Sequence, residues 1–109
     1  MTRRLSIAII ALVVIPAAAA HAQDLASKGK DVYTAQKCSV CHAIAGTGNK
    51  KGALDGIGAK LSAAEIRSWI TDAPAMAAKA KADRKPPMKA YMLAQGDLDA
   101  LVAYLQTLK

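Results

Sequence analysis

Two cysteines and a histidine lie close together in the first half of the chain, as Cys38-Ser39-Val40-Cys41-His42. This C-x-x-C-H spacing is typical of covalent haem attachment. On a helical turn, positions i, i+3 and i+4 share one face, so each thiol can reach one vinyl group of a haem. The imidazole then lies beneath the iron. The motif predicts one covalent haem c, attached through Cys38 and Cys41, with His42 as an axial ligand.

Other chemistry is compatible with the same residue types. In a thioredoxin-like redox site, the C-x-x-C motif lies beside a βαβ pattern, whereas this sequence shows no alternating strand pattern. A zinc site needs four ligands, whereas this chain has two cysteines and one usable histidine nearby. A structural disulfide suits an exported chain, but closing so short a loop gains little stability. Haem attachment is therefore favoured.

The sixth position on the iron has three methionine candidates, Met76, Met88 and Met92, with lysine a weaker alternative. Met88 follows Pro86-Pro87, whose rings restrict the backbone, so its thioether loses little entropy on being held in place. The other two methionines lie in stretches more compatible with helix, where methionine usually fills gaps in a core. His42 and Met88 are therefore the expected axial pair, which leaves no coordination position for oxygen, peroxide or substrate.

The first 22 residues have the pattern of an export signal. Arg3 and Arg4 precede an 11-residue apolar run, Leu5 to Ile15, which Pro16 ends. Ala20-His21-Ala22 then forms an A-x-A cleavage site. An uncleaved anchor is the alternative, but the apolar stretch is shorter than the roughly 20 residues that span a bilayer. We expect a cleaved signal peptide over residues 1–22 and a periplasmic domain over residues 23–109, without a permanent membrane span.

The expected mature chain has few bulky side chains. Of its 87 residues, 22 are large and apolar and 18 are alanine. A chain this short usually needs a metal, a disulfide or a cofactor to complete its core. With 13 basic and eight acidic residues it carries a charge of +5, which favours acidic partners. Nucleic acid is not expected, because the chain has no basic helix or aromatic platform.

Helical patterns predict an all-α domain. Asp24 can cap a first helix over residues 25–36, in which Gly29 marks a close backbone contact. Ser62 and Glu65 form a capping box before a helix over 63–72. A stripe of four leucines and Val102 predicts a last helix over 97–108. The remaining expectations are a loop over 45–60, one or two helical turns over 75–82 after Pro74, and an extended strap over 84–89.

Taken together, these features resemble a class I cytochrome c over essentially all of residues 23–109. The residues that carry the resemblance are Gly29 and Tyr33, Cys38-Ser39-Val40-Cys41-His42, Leu54-Asp55-Gly56, Trp69, Lys85-Pro86-Pro87-Met88 and Tyr104. Another family, a four-helix bundle whose haem motif lies near the C-terminus, is disfavoured because Cys38 lies only 16 residues into the expected mature chain.

The resemblance implies a cytochrome c-like fold in which the first and last helices cross at Gly29 and Tyr104, around the haem. It also implies that Trp69 lies beside the haem and donates its indole N–H to a propionate, although Trp69 could instead be the largest core residue. In the family, a carbonyl near residues 52–54 accepts the His42 Nδ1 proton. Here that stretch is Gly52-Ala53-Leu54 without the usual proline, so the accepting carbonyl stays open.

The expected function is that of a diffusible, non-enzymatic electron carrier. Basic residues near the motif and the strap could attract acidic surfaces on a reductase, dehydrogenase or terminal oxidase. These residues are Lys37, Lys50, Lys51, Lys79, Lys81, Arg84, Lys85 and Lys89. A solvated surface that only maintains solubility is the alternative. Other possible functions are a tightly bound haem subunit of a periplasmic complex and, with a labile Met88 bond, a peroxidase or gas sensor.

Overall fold

The computed structural model of the protein describes residues 8–109. Arg3 and Arg4 of the predicted signal lie outside the described residues. Within residues 8–109 the chain is mainly helical, with one short hairpin and two 3₁₀ turns. The helices are α1 (Ala17–Ala35), α2 (Ile57–Lys60), α3 (Ala63–Thr71), α4 (Ala73–Ala80) and α5 (Gln95–Gln106), the strands are β1 (Ala43–Ile44) and β2 (Thr47–Gly48), and the 3₁₀ turns are Cys38–Val40 and Lys50–Gly52.

Helix α1 begins eight residues earlier than the sequence pattern predicted, at Ala17 rather than Leu25. Pro16, in extended backbone, is the N-cap, so the prediction of Asp24 as the cap was wrong. Alanine is the strongest helix former, and the run of residues 17–20 extends the helix toward the N-terminus without needing a buried face. All of residues 8–24 are exposed, and the buried face of α1 begins only at Gly29.

The first and last helices cross at Gly29, as expected. A Cβ at this position would overlap the carbonyl oxygen of Ala100 in α5 and lie 2.6 Å from the Cβ of Tyr104. One turn further on, the rings of Tyr33 and Tyr104 meet edge to face, with centroids 5.9 Å apart. The core cluster joins α1 and α5 to α3 and consists of Val32, Tyr33, Ile66, Ile70, Leu98, Leu101, Val102 and Leu105.

The capping box predicted at the start of α3 is present. The Ser62 hydroxyl accepts from the Glu65 N–H, and the Glu65 carboxylate accepts from the Ser62 N–H, both at 3.1 Å. Helix α4 confirms the helical turns predicted after Pro74. Helix α5 begins two residues before the predicted start, and Asp99 accepts from Arg67 of α3 at 2.7 Å.

The segment predicted as loop, residues 45–60, contains more regular structure than expected. It holds β2, a 3₁₀ turn and the one-turn helix α2, and β1 and β2 form an antiparallel hairpin although no strand was predicted. Strands of two residues are too short to produce an alternating pattern, so the sequence could not reveal them. The hairpin turn is fixed by Gly46, with a φ of 79°, and by an Asp55 carboxylate that accepts from the Ala45 N–H at 2.8 Å.

The segment between α4 and α5, residues 81–94, contains no helix or strand, as expected for residues 84–89, but its backbone bends at Lys85 and Pro86 and is not extended throughout. One backbone bond attaches it to the core: the Tyr91 N–H donates to the Ile70 carbonyl at 2.8 Å. Among residues 8–109, no helix combines the length and apolar character needed to cross a bilayer.

Candidate functional site

A single large cavity of about 750 Å³ lies between the C-x-x-C-H turn, α3, α5 and the strap. This volume is typical of sites for small molecules and cofactors. Its apolar wall is formed by Leu54, Ile57, Leu61, Ile66, Ile70, Leu101 and Leu105. The expected mature domain has 22 large apolar side chains, which are too few to complete a core. The cavity lies where the core is incomplete.

The two cysteines reach the cavity from one tight turn. Lys37 adopts the left-handed conformation, with a φ of 56°. The chain changes direction at this residue, between the end of α1 and the 3₁₀ turn Cys38–Val40. The N–H groups of Cys41 and His42 both donate to the Cys38 carbonyl, at 3.1 and 2.9 Å. Side chains at i and i+3 eclipse in a 3₁₀ turn, so the two thiols share one face. Both cysteines are half-buried and free.

His42 is oriented by a backbone carbonyl that the sequence could not identify. Its Nδ1 lies 2.9 Å from the carbonyl oxygen of Gly52. A carbonyl can only accept, so the proton is on Nδ1 and the lone pair on Nε2 is free to bind a metal. Burial lowers the pKa of His42, the bond to Gly52 opposes that effect, and the charge of Arg84 adds to it. Burial and the Arg84 charge therefore favour the neutral ring, which is the form that binds a metal.

The loop that carries Gly52 is fixed by a short network of hydrogen bonds. The Asn49 N–H donates to the carbonyls of Ser39 and His42, at 3.1 and 3.0 Å. The Asn49 side chain in turn accepts from the Lys51 N–H at 3.1 Å and caps the 3₁₀ turn that ends at Gly52. The turn that carries the cysteines and the loop that orients His42 are thus one hydrogen-bonded unit.

Of the three methionine candidates, only Met88 lines the cavity. Met76 lies in α4, as the helical pattern suggested, and is half-buried outside the cavity. Met92 is fully exposed and lies in the non-helical segment 81–94, so the expectation that Met92 is a core methionine in a helix was wrong. Met88 is half-buried, and the bond from Tyr91 to Ile70 holds the segment that follows it.

Trp69 also lines the cavity and is half-buried, but it is not a member of the core cluster. The role of Trp69, as a propionate contact, as a large core residue or as both, stays a prediction. The structure thus brings Cys38, Cys41, His42, Met88 and Trp69, the five predicted site residues, to the same cavity.

Sequence reasoning did not assign a role in the site to Tyr33, Tyr91 or Arg84, which also line the cavity. The Tyr33 hydroxyl is buried and has no hydrogen-bond partner among the described residues. Burial is the main cause that raises the pKa of Tyr33 to about 12. An orphaned buried hydroxyl is costly, and it is expected where a bound group supplies the missing partner. An aromatic residue five positions before Cys38 was the available signal.

The sequence is also compatible with a bare metal site and with a disulfide. Within residues 8–109, no group of three or more histidine, cysteine or carboxylate side chains is placed to hold a bare metal ion. The thiols of Cys38 and Cys41 are not joined to each other. The arrangement instead offers two thiols, one imidazole and one thioether around an apolar cavity.

Comparison with known proteins gives a consistent result. A family model described as Cytochrome c matches residues 26–109. No curated protein and no solved structure matches the chain.

Proposed function

The chain belongs to the cytochrome c family, and on that basis we propose that it is an exported carrier of single electrons with His42 and Met88 as axial ligands. Members of the family contain covalently bound haem c. When bound, the haem supplies an iron that alternates between the ferrous and ferric states. The observation that carries the proposal is that His42 and Met88 line the same cavity as both cysteine thiols.

The residues present fit a covalently attached haem. The thiols of Cys38 and Cys41 would form the two thioether attachments, and the free Nε2 of His42 would bind the iron. The apolar wall would accommodate the ring, and the buried Tyr33 hydroxyl has the unmet bonding capacity expected beside a bound polar group. Trp69, which lines the same cavity, would donate its indole N–H to a propionate.

The axial pair restricts what the protein can do. With an imidazole and a thioether both bound, no coordination position is left for peroxide, oxygen or substrate. The thioether ligand favours the reduced form and raises the reduction potential, and the apolar wall excludes water. These effects support electron transfer rather than catalysis or gas sensing.

Location in the periplasm is proposed from the N-terminal sequence. Basic residues, an apolar run, Pro16 and the A-x-A site occur in the order of a cleaved export signal. All of residues 8–24 are exposed, so cleavage after Ala22 would remove none of the buried residues that the structure describes. The remaining part of α1 keeps Gly29, Val32 and Tyr33, the buried residues that pack on α5.

Partners with acidic surfaces are proposed from the basic residues near the cavity. All eight of these side chains are exposed, and none forms an ion pair within residues 8–109. Three of them, Lys37, Arg84 and Lys89, also line the cavity. Unpaired positive charge beside a redox group steers encounters with a negatively charged reductase, dehydrogenase or oxidase.

A direct test exposes the reduced, purified holoprotein to carbon monoxide. A carrier with both axial positions filled gives an unchanged spectrum and a reversible one-electron redox titration. Prompt formation of a carbon monoxide complex would contradict the proposed ligation and favour a peroxidase or sensor. Elution of the exported protein as part of a larger enzyme would instead indicate a tightly bound subunit.

A further inference from the structure

The side chain of Arg84 contacts the loop that orients His42. A Cβ on Gly52 would overlap both Arg84 Nη1 and the Cys41 carbonyl oxygen, and it would lie 3.0 Å from Arg84 Cζ. The guanidinium therefore lies directly against the Gly52 backbone. That residue's carbonyl accepts the His42 Nδ1 proton at 2.9 Å. Only glycine leaves room for this contact.

Arg84 also belongs to the strap that carries the other proposed ligand. It lies four residues before Met88, and Arg84, Met88 and His42 all line the cavity. Arg84 thus connects the segment that carries the Met88 thioether with the loop that orients the His42 imidazole. Its charge is not neutralised by an ion pair within the described residues, where the recorded pairs are Lys28–Asp97 and Arg67–Asp99.

A cation in this position has a definite effect on a redox site. One-electron reduction lowers the net charge of the site by one, so a nearby positive charge favours the reduced form. Arg84 is placed to exert this effect on the proposed ligand, since it lies against Gly52, whose carbonyl is bonded to His42 Nδ1.

We propose that Arg84 raises the reduction potential of the site through the positive charge that it places against Gly52, the residue whose carbonyl orients His42. The proposal rests on the proposed function, because it requires His42 to bind the iron. Of the eight basic residues, Arg84 alone is assigned this effect on the reduction potential. The effect is separate from the attraction of acidic partners, to which all eight residues contribute.

The test compares three variants of the full-length, haem-loaded protein with the parent in a spectroelectrochemical titration. Arg84→Gln removes the charge, and Arg84→Lys keeps it. Lys85→Gln is the matched control, since Lys85 is the exposed neighbour on the same strap and does not line the cavity. The far-red methionine–iron charge-transfer band of each oxidised protein reports whether the Met88 bond is intact.

Arg84→Gln is expected to lower the ratio of reduced to oxidised protein at a fixed applied potential on the order of three- to tenfold. Lys85→Gln is expected to lower it by less than half as much on the logarithmic scale, because Lys85 does not line the cavity. Arg84→Lys is expected to stay close to the parent.

Equal shifts in Arg84→Gln and Lys85→Gln would overturn the proposal, as would an Arg84→Lys shift as large as that of Arg84→Gln. A parent protein without the far-red band would contradict the proposed ligation itself, and the inference with it. The two failures are therefore distinguishable.

Discussion

Gly29 of α1 lies against the backbone of Ala100 in α5, with no space for a side chain between them. This contact fixes how closely the terminal helices approach, and it places Tyr33 and Tyr104 edge to face at 5.9 Å. The residues that follow along α1 lead directly into the cysteine turn. The distance between two helices thus determines where the thiols and the imidazole lie.

Replacing Gly29 with alanine is expected to destabilise the fold. The new Cβ would overlap the Ala100 carbonyl oxygen, and relief of that overlap requires the helices to separate. Overpacking of this kind costs about 1–3 kcal/mol, which exceeds the gain of up to ~1 kcal/mol from removing a mid-helix glycine. Chemical denaturation of the holoprotein measures the difference.

Gly96→Ala in α5 is the matched control. Its added Cβ would meet only the flexible Lys28 Nζ, at 3.4 Å, so this variant is expected to be as stable as the parent or slightly more stable. If Gly29→Ala were equally well tolerated, the close approach of the helices would not limit stability.

Met88→Ala is expected to abolish the far-red methionine–iron band of the oxidised protein and to lower the reduction potential, because the thioether favours ferrous iron. Met76→Ala and Met92→Ala are the controls. Neither residue lines the cavity, and Met92 is fully exposed, so both variants should keep the band. A Met88→Ala protein that retains the band would disprove the assignment of the sixth ligand.

Stability should depend on the charge of Glu65 in the capping box of α3. Hydrogen bonds from the backbone N–H of Ser62, and then from its hydroxyl, hold the pKa of Glu65 below its ordinary value of 4.5. The folded protein therefore binds this proton less readily than the unfolded chain does. The resulting stabilisation is fully present above pH 4.5 and disappears as the pH falls through the lowered pKa.

Glu65→Gln is accordingly expected to unfold at lower denaturant concentration than the parent at neutral pH. This gap between the two unfolding midpoints should close at acidic pH. Denaturation curves at neutral pH and at pH about 3 measure this. A gap that is the same at both pH values would show that the carboxylate charge does not contribute.

The basic residues around the cavity should make electron transfer depend on salt. Oxidation of the reduced protein by anionic ferricyanide is expected to slow as ionic strength rises, and oxidation by a cationic cobalt complex to accelerate. Lys89→Gln should reduce the ferricyanide rate more than Lys30→Gln, since Lys89 lines the cavity and Lys30 of α1 does not. Rates that do not change with salt for either oxidant would count against steering.

The sequence predicted those parts of the site that depend on local spacing. The C-x-x-C-H turn, the capping box at Ser62 and the strap before Met88 are each encoded within a few residues, and the structure places them as expected. The crossing at Gly29 came from family resemblance and is confirmed.

Other features could not be predicted because they depend on tertiary contacts. The carbonyl that orients His42 belongs to Gly52, ten residues away, and becomes available only through the bonds that Asn49 makes to the cysteine turn. The contact of Arg84 with Gly52 joins two segments 32 residues apart. The early start of α1 was missed because the alanines before Asp24 show no apolar period.

Covalent attachment of the haem is tested most directly by the intact mass of the purified, exported protein after extraction with acidified organic solvent. We expect the mass of a polypeptide that begins at Gln23 plus one haem, which extraction does not remove because Cys38 and Cys41 hold it covalently. A folded, colourless protein with the mass of its amino acids alone would contradict covalent attachment.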